Sequence, residues 1–355
     1  MNILIRTDAS RDIGTGHVMR CIVLAKELRQ KNAEVTFICR ELPGNMLEYI
    51  KDNGFGLIPL PATSRSDDNL RWHKQHWKVD AVQTRKVLKG KKDVDWLVVD
   101  HYGLDFKWEQ SIRSLAKKIM VIDDLADRNH DCDLLLDQNL YKDMETRYQT
   151  LIPKTATALL GPKYLLLREE FRNLPVKERT GMVEKVLISF GGSDPTNETM
   201  KALKAVLLLK RPELAIDVVI GYSNKNQRSI SRLCDDLPNV HLHFQIDYLA
   251  SLMAAADLAV GAGGTTTWER CLLGLPAVTI ETAPNQTGIL SYLSELGAIQ
   301  HLGKSGEVDA EKVADQLEFI IARPAMVKKM SDNSIKLMNG FAFGSVAEEL
   351  VKGEA

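Results

Sequence analysis

Cysteine is scarce and unpaired in this 355-residue sequence. Its five cysteines (Cys21, Cys39, Cys132, Cys234 and Cys271) form no CxxC pair and add to an odd total. That argues against a disulfide framework and against a zinc site, and it suits a reducing compartment. Net charge is almost absent as well. Lys and Arg number 46 against 47 Asp and Glu, leaving a formal charge of −1, so nothing draws the chain to nucleic acid or to an anionic membrane. No apolar run approaches the roughly 18 residues of a membrane span. The chain enters its first predicted strand at once, which leaves no room for a signal peptide. These absences predict a soluble cytoplasmic protein with neither a nucleic-acid nor a membrane partner. Two nucleotide signatures are missing too. Gly14-Thr15-Gly16-His17-Val18-Met19 has Met where a dinucleotide fingerprint needs its third glycine, and no glycine turn is followed by the Lys-Ser/Thr of a P-loop.

What is present is a core. Hydrophobic residues make up 45% and charged residues 26% of the chain, the balance of a globular protein, at a length that suits two domains. Short apolar strands are predicted at 3–5, 34–38, 57–60, 96–100, 119–122 and 134–136, with helical segments near 17–31, 44–53, 80–91 and 106–117. Such alternation spells βαβ units and a mainly parallel sheet with helices on both faces. Residues 61–78 are polar, carry two Trp and two His, and read as a long loop or short helices. A charged stretch at 167–183 without apolar periodicity reads as a linker. A second strand–helix series follows it, with strands at 185–189, 217–220, 240–244, 258–260 and 277–280. The expected division is 1–166 and 182–355, two Rossmann-like halves with a cleft between them.

The stretch from Arg6 to Cys21 joins the first strand to the first helix. Gly14 and Gly16 allow a tight turn and close approach of backbone N–H groups to a ligand. His17 then falls in the first turn of the helix, at the carboxyl end of the strand, where open α/β sheets do their chemistry. Near a helix N-terminus its protonated form is disfavoured, leaving a neutral imidazole able to accept a proton. A histidine so placed also serves as a cap or a packing residue. Asp100, His101 and Tyr102 close another strand at the same edge, as do Asp123 and Asp124. Each is a candidate for holding a polar substrate or for capping a helix.

The second half holds two glycine turns. One reads Phe190-Gly191-Gly192-Ser193-Asp194-Pro195 and the other Gly261-Ala262-Gly263-Gly264-Thr265-Thr266-Thr267. Each leads from a strand into a helix: Ser193, Asp194 and Thr196 suit the N-cap of the first, where backbone N–H groups are expected to remain free, and the second can hold a diphosphate without a metal. Glu269, one turn into the second helix, can accept two hydrogen bonds from a vicinal diol, and as a solvated residue it would also suit the helix dipole. Asn285 and Gln286 offer side-chain amides at a further strand end, suited to sugar hydroxyls and N-acetyl groups or to the turn itself.

Together, Asp8-x-Ser10-x-x-Ile13-Gly14-x-Gly16-His17-x-x-Arg20-Cys21, Asp100-His101-Tyr102, Ser189 to Pro195 and Gly261–Thr265 with Glu269 and Asn285-Gln286 resemble the PseG family. These are UDP-2,4-diacetamido-2,4,6-trideoxy-β-L-altropyranose hydrolases of pseudaminic acid biosynthesis, related to the spore-coat protein SpsG. The second half is also similar to the nucleotide-sugar half of MurG glycosyltransferases. The resemblance implies a GT-B fold and a UDP-sugar hydrolase that needs no cofactor and no metal. It implies His17 as general base, with Asp8, Gly14, Gly16, Tyr102, Asn285 and Gln286 around the sugar. Gly192, Ser193, Ile246, Gly263, Gly264, Thr265 and Glu269 are implied to hold UDP. A monomer is expected, with a helical tail after residue 297 that packs back on the N-terminal domain. The rival readings are a glycosyltransferase of the same fold, a hydrolase of a related sugar, and a non-catalytic UDP-sugar binder.

Overall fold

The computed structural model describes residues 1–62, 69–91 and 93–352. They fall into two compact units, one formed by residues 1–168 with 341–355 and the other by residues 169–340.

In the first unit the elements run β1 (Asn2–Thr7), α1 (Gly16–Gln30), β2 (Glu34–Arg40), α2 (Leu47–Asp52), β3 (Gly56–Leu60) and α3 (Asn69–Lys89). They continue with β4 (Trp96–Asp100), α4 (Phe106–Ile112), β5 (Lys118–Ile122), β6 (Leu134–Asp137) and β7 (Thr157–Leu160). The 7-stranded sheet has the order β3-β2-β1-β4-β5-β6-β7, and all its pairings are parallel. Its inner strands are buried on both faces, so they read as continuous apolar runs rather than alternating ones. Ile3 and Ile5 pack with Val18, Cys21 and Leu24 of α1 on one face. Leu4 packs with Trp108 of α4 and Ala81 and Leu88 of α3 on the other.

The second unit runs β8 (Lys185–Ser189), α5 (Glu198–Leu209), β9 (Ala215–Ile220), α6 (Gln227–Asp235), β10 (Val240–Phe244) and α7 (Leu249–Ala255). Then come β11 (Leu258–Ala262), α8 (Thr265–Leu272), β12 (Ala277–Glu281), α9 (Thr287–Glu295), β13 (Ile299–Lys304), α10 (Ala310–Ile321) and α11 (Pro324–Leu337). Its 6-stranded sheet, also parallel, has the order β10-β9-β8-β11-β12-β13.

The second unit takes in most of the charged stretch read as a linker. Phe171 and Arg179 are buried there, and Arg179 donates to the carbonyls of Ala256 and Leu273. It also ends at Gly340 rather than running to the end of the chain. The final helix α12 (Ser345–Lys352) belongs to the first unit. Val346, Ala347 and Leu350 are fully buried there, and the Leu350 carbonyl accepts from the Trp96 indole at 3.1 Å.

Of the polar stretch 61–78, residues 63–68 lie outside the described residues, and from Asn69 onward the chain is helical. α3 is kinked at His76 (φ −115°, ψ 26°). The helix predicted near 80–91 is thus the second part of α3, and its first part read as a loop or short helices because residues such as His73, which is buried beside Asp8, look like surface residues.

Candidate active site

In both sheets the strand order reverses beside the first strand of the unit, and ligands bind open α/β sheets outside the carboxyl ends at that point. In the first unit the reversal puts β1 next to β4, with Thr7 opposite Asp100. The loop leaving β1 is tightly held. Gly14 has a φ of 82° and donates its N–H to the Ser10 carbonyl at 2.9 Å. Asp12 accepts from the backbone and side-chain nitrogens of Asn69, each at 2.7 Å, which ties the loop to the start of α3. His17 therefore sits fixed in the first turn of α1, only 6% exposed.

His17 Nδ1 lies 2.6 Å from Asp100 Oδ1. With Nδ1–H donated to the carboxylate, a neutral imidazole carries its lone pair on Nε2. Arg20, one turn along α1, clamps the same carboxylate through Nε and Nη2, both at 2.6 Å. Burial pushes the Asp100 carboxyl up, but Arg20 and then His17 outweigh it and hold it well below the usual carboxylate range. Asp100 is thus an anion throughout the physiological range, fixed in place and orienting the ring.

Tyr102 stands edge-on to His17, with ring centroids 4.4 Å apart and planes at 80°. Its hydroxyl donates to Asp124 Oδ1 at 2.6 Å, and Asp124 Oδ2 accepts from Arg20 at 3.2 Å. Burial first and Asp124 second push the Tyr102 phenol well above its ordinary value, so it is a hydrogen-bond donor and not a base. Arg20 and Asp124 complete a chain from Tyr102 to His17. Arg20 had a signal in the sequence, since it lies three residues from His17 on one helix face. Asp124 had only its place at a strand end.

Asp8, expected at the sugar, lies in the interior with no exposed surface. Its oxygens accept from Arg6 at 2.6 and 2.8 Å and from the Arg40 backbone at 2.7 Å. It braces the loop from beneath and offers no atom outward. Asp8, His73 and His101 are the group whose ligand atoms lie close enough for a metal ion among the described residues. His101 does not offer it a lone pair. His101 Nδ1 accepts the Gly103 N–H at 2.9 Å, so a neutral ring carries its proton on Nε2, facing Asp8 at 3.4 Å. Burial, and then the neighbouring His73, lower the His101 pKa to about 3.

In the second unit the reversal pairs β8 with β11, Ser189 opposite Gly261, and both glycine turns lie at this edge. They differ. The first leaves Gly192 and Ser193 exposed, but Asp194 folds inward and accepts the N–H groups of Glu198 and Thr199, each at 2.9 Å. The N–H groups expected to be free at the start of α5 are therefore already capped. The second turn stays open. Gly264 is the N-cap of α8 at φ 148° with no side-chain cap, so the N–H groups of Thr265 and Thr266 keep their anion-binding geometry. Gly263 leaves room for packing, since a Cβ there would come within 2.9 Å of Leu290.

Glu269 is 2% exposed, one turn into α8. Asn285 is exposed at the end of β12. Gln286 turns inward, where its Oε1 accepts the Thr282 N–H at 2.9 Å, so it braces the turn rather than reaching out. Ile246 is half-buried just beyond β10, after Gln245 at φ 49°.

The solved structure of MurG from Acinetobacter baumannii superposes over 99% of this chain and 99% of its own, with a TM-score of 0.66 at 15% identity. The chain has the GT-B fold. Within the GT-B second unit, residues 186–339 match the glycosyltransferase family 28 C-terminal domain. Sequence similarity reaches into the first unit as well. The UDP-2,4-diacetamido-2,4,6-trideoxy-β-L-altropyranose hydrolase of Campylobacter jejuni is 26% identical over 298 residues, 84% of this chain and 97% of that one. An uncharacterized protein of Methanocaldococcus jannaschii is 29% identical over 290 residues, 79% of this chain. The match spans 55% of that relative's length. No helix among the described residues is long and apolar enough to cross a membrane.

Proposed function

We propose that this protein hydrolyses a UDP-activated, N-acetylated deoxysugar, with UDP-2,4-diacetamido-2,4,6-trideoxy-β-L-altropyranose as the substrate of choice. The observation that carries the reading is the Asp100–His17 pair. A carboxylate fixed on Nδ1 leaves Nε2 as the base at the end of β1, and the relative from Campylobacter jejuni supports water as the nucleophile. In this reading Nε2 takes a proton from water while the water oxygen attacks C1 on the face opposite UDP. The C1–O bond breaks, the electron pair leaves on the diphosphate, and the sugar is released with inverted configuration. General-base help of this kind contributes about a hundred- to ten-thousand-fold. The open start of α8 receives the diphosphate, with prepositioned dipoles where charge develops. Gly263, Gly264 and Thr265 form that cradle, Glu269 takes the ribose, and Ile246, Gly192 and Ser193 border the nucleotide. Gly14, Gly16, Tyr102 and Asn285 line the sugar. Asp8 and Gln286 support the site rather than touch the substrate. No metal ion is needed in this scheme, so activity should survive EDTA. Its abolition by EDTA would remove the α8 cradle as sufficient.

Transfer to an acceptor hydroxyl is the second reading, favoured by the glycosyltransferase family 28 match. The test is UDP release from donor alone in water enriched in the heavy oxygen isotope, for the wild type and His17→Ala. Hydrolysis predicts label on the sugar and loss of at least about a hundredfold in the variant, with UDP still bound. Label on UDP would mean attack at phosphorus. No release without an acceptor would hand the case to a transferase.

A further inference from the structure

Arg270 lies beneath the glycine turn of α8, 2% exposed. A buried guanidinium ordinarily has a carboxylate partner, because removing its charge from water is costly otherwise. Among the described residues Arg270 has no ion pair. Its Nη2 donates to the Ala262 carbonyl at 2.9 Å and to Thr267 Oγ1 at 3.1 Å. Nε is buried without a partner. Nη1 makes no hydrogen bond and lies against the turn, where a Cβ on Gly261 would come within 2.8 Å of it.

Arg179, the other guanidinium of this unit buried without an ion pair, shows what a purely structural solution looks like. Its Nε is also buried without a partner, but its two Nη atoms are wrapped by the carbonyls of Lys177, Met253, Ala256 and Leu273. Arg270 has one carbonyl and one hydroxyl instead. Burial lowers its pKa only to about 10, with small opposing contributions from Cys271 and Glu269, so it remains a cation at neutral pH. Its guanidinium is bonded to Ala262 and Thr267, on either side of the uncapped start of α8, so its charge and the helix N-terminus have the same sign.

We propose that Arg270 is a positioning residue whose counter-ion is the ligand itself. The protein leaves this charge uncompensated, and the diphosphate of a nucleotide bound at Gly264 and Thr265 neutralises it through the turn. The inference rests on the reading of α8 as the diphosphate cradle, and it adds a specificity. The site should distinguish a dianionic or trianionic diphosphate from an uncharged nucleoside by more than its backbone donors supply.

The test is calorimetric titration of the full chain with UDP, inorganic pyrophosphate and uridine, for the wild type, R270M, R270Q and R270K. R270Q keeps a donor for the Ala262 carbonyl and removes the charge. Both neutral variants are expected to lose about tenfold or more in affinity for UDP and pyrophosphate, equivalent to about 1.4 kcal/mol. Their affinity for uridine should be unchanged. R270K should stay close to the wild type. Without ligand, R270M should melt no lower than the wild type, since it removes an unpaired buried charge. A parallel loss for uridine would mean a structural role only, and so would failure of both neutral variants to fold. Unchanged pyrophosphate and UDP affinity in a folded neutral variant would overturn the inference while leaving the cradle in place. A wild type that binds UDP no better than uridine, and pyrophosphate not at all, would remove the cradle and this inference together.

Discussion

Asp100 is the residue on which the proposed chemistry turns. Three groups hold it: the His17 ring and the Arg20 guanidinium, each at 2.6 Å, and the Cys21 thiol at 3.4 Å. An amide in its place would satisfy only part of this and would no longer select the tautomer with a free Nε2. Asp100→Asn should lower UDP release by about a hundredfold or more with little change in UDP affinity, and an undiminished rate would take Asp100 out of the mechanism. Asp137 makes a second prediction from a different cause. Burial, with a further push from Asp124 against the Asn139 N–H, raises its pKa from 3.8 to about 7. The Tyr148 hydroxyl faces both Asp137 Oδ2 at 3.2 Å and Asp123 Oδ2 at 3.0 Å. One proton cannot serve two carboxylates, so Asp137 keeps its own. Between about pH 4 and 7 the folded state holds a proton that the unfolded state has released, and stability must fall as pH rises through that window. Above about pH 7 the penalty is constant. The difference in melting temperature between Asp137→Asn and the wild type should therefore widen from pH 4.5 to pH 7.5 and then level off. A difference that is flat with pH would mean that Asp137 is ionised in the fold.

Among elements, the βα turns decide what each unit can hold. Gly264 tests this cleanly. At φ 148° an alanine is strained by about 1–3 kcal/mol, yet its Cβ would meet nothing within 4 Å. Any loss of UDP affinity in Gly264→Ala is then a matter of backbone geometry and not of a clash. We expect roughly tenfold weaker binding from a protein that still folds, and unchanged affinity would mean that the cradle does not depend on this conformation. The turns also mark how far the sequence could be read. The buried central strands and the helices between them were legible because their apolar runs are unbroken by partial exposure. β7 was not, being only four residues long, nor was β13, whose Gln300, His301 and Lys304 interrupt the apolar pattern, although the edge strands β3 and β10 were. Only the first part of α3 was missed, because its polar residues look solvent-facing although His73 among them is buried against Asp8. Within the site, His17, Tyr102 and the Gly264 turn stood out by position and residue type. The capping by Asp194 was legible from its place before a helix, but the inward turning of Asp8 and Gln286 was not, because a carboxylate or amide that braces a backbone looks the same in sequence as one that meets a ligand.

At the level of the whole molecule, the first unit is discontinuous. α12 supplies Val346, Ala347 and Leu350 to its core, and Gly344 donates to the Glu27 carboxylate at 3.0 Å. Burial of a side chain such as Val or Leu is worth about 1.5–3 kcal/mol, so a chain stopped after Gly340 should lose several kcal/mol from the first unit. Hydrogen exchange should show faster opening throughout β1, α1 and β4, while the second unit keeps its protection. Equal loosening of both units, or of neither, would mean that α12 is not part of that cooperative core.

The return of the chain at Phe341 also sets an order of events. During synthesis all of the second unit leaves the ribosome before α12 does. The second unit can close on contacts it already possesses, while Trp96 and the back of α1 wait uncovered. The unit that carries the proposed general base is thus completed after the second. A nascent chain in which it is still open has every residue of the proposed nucleotide cradle but cannot yet hold His17 against Asp100, so binding competence would precede catalytic competence.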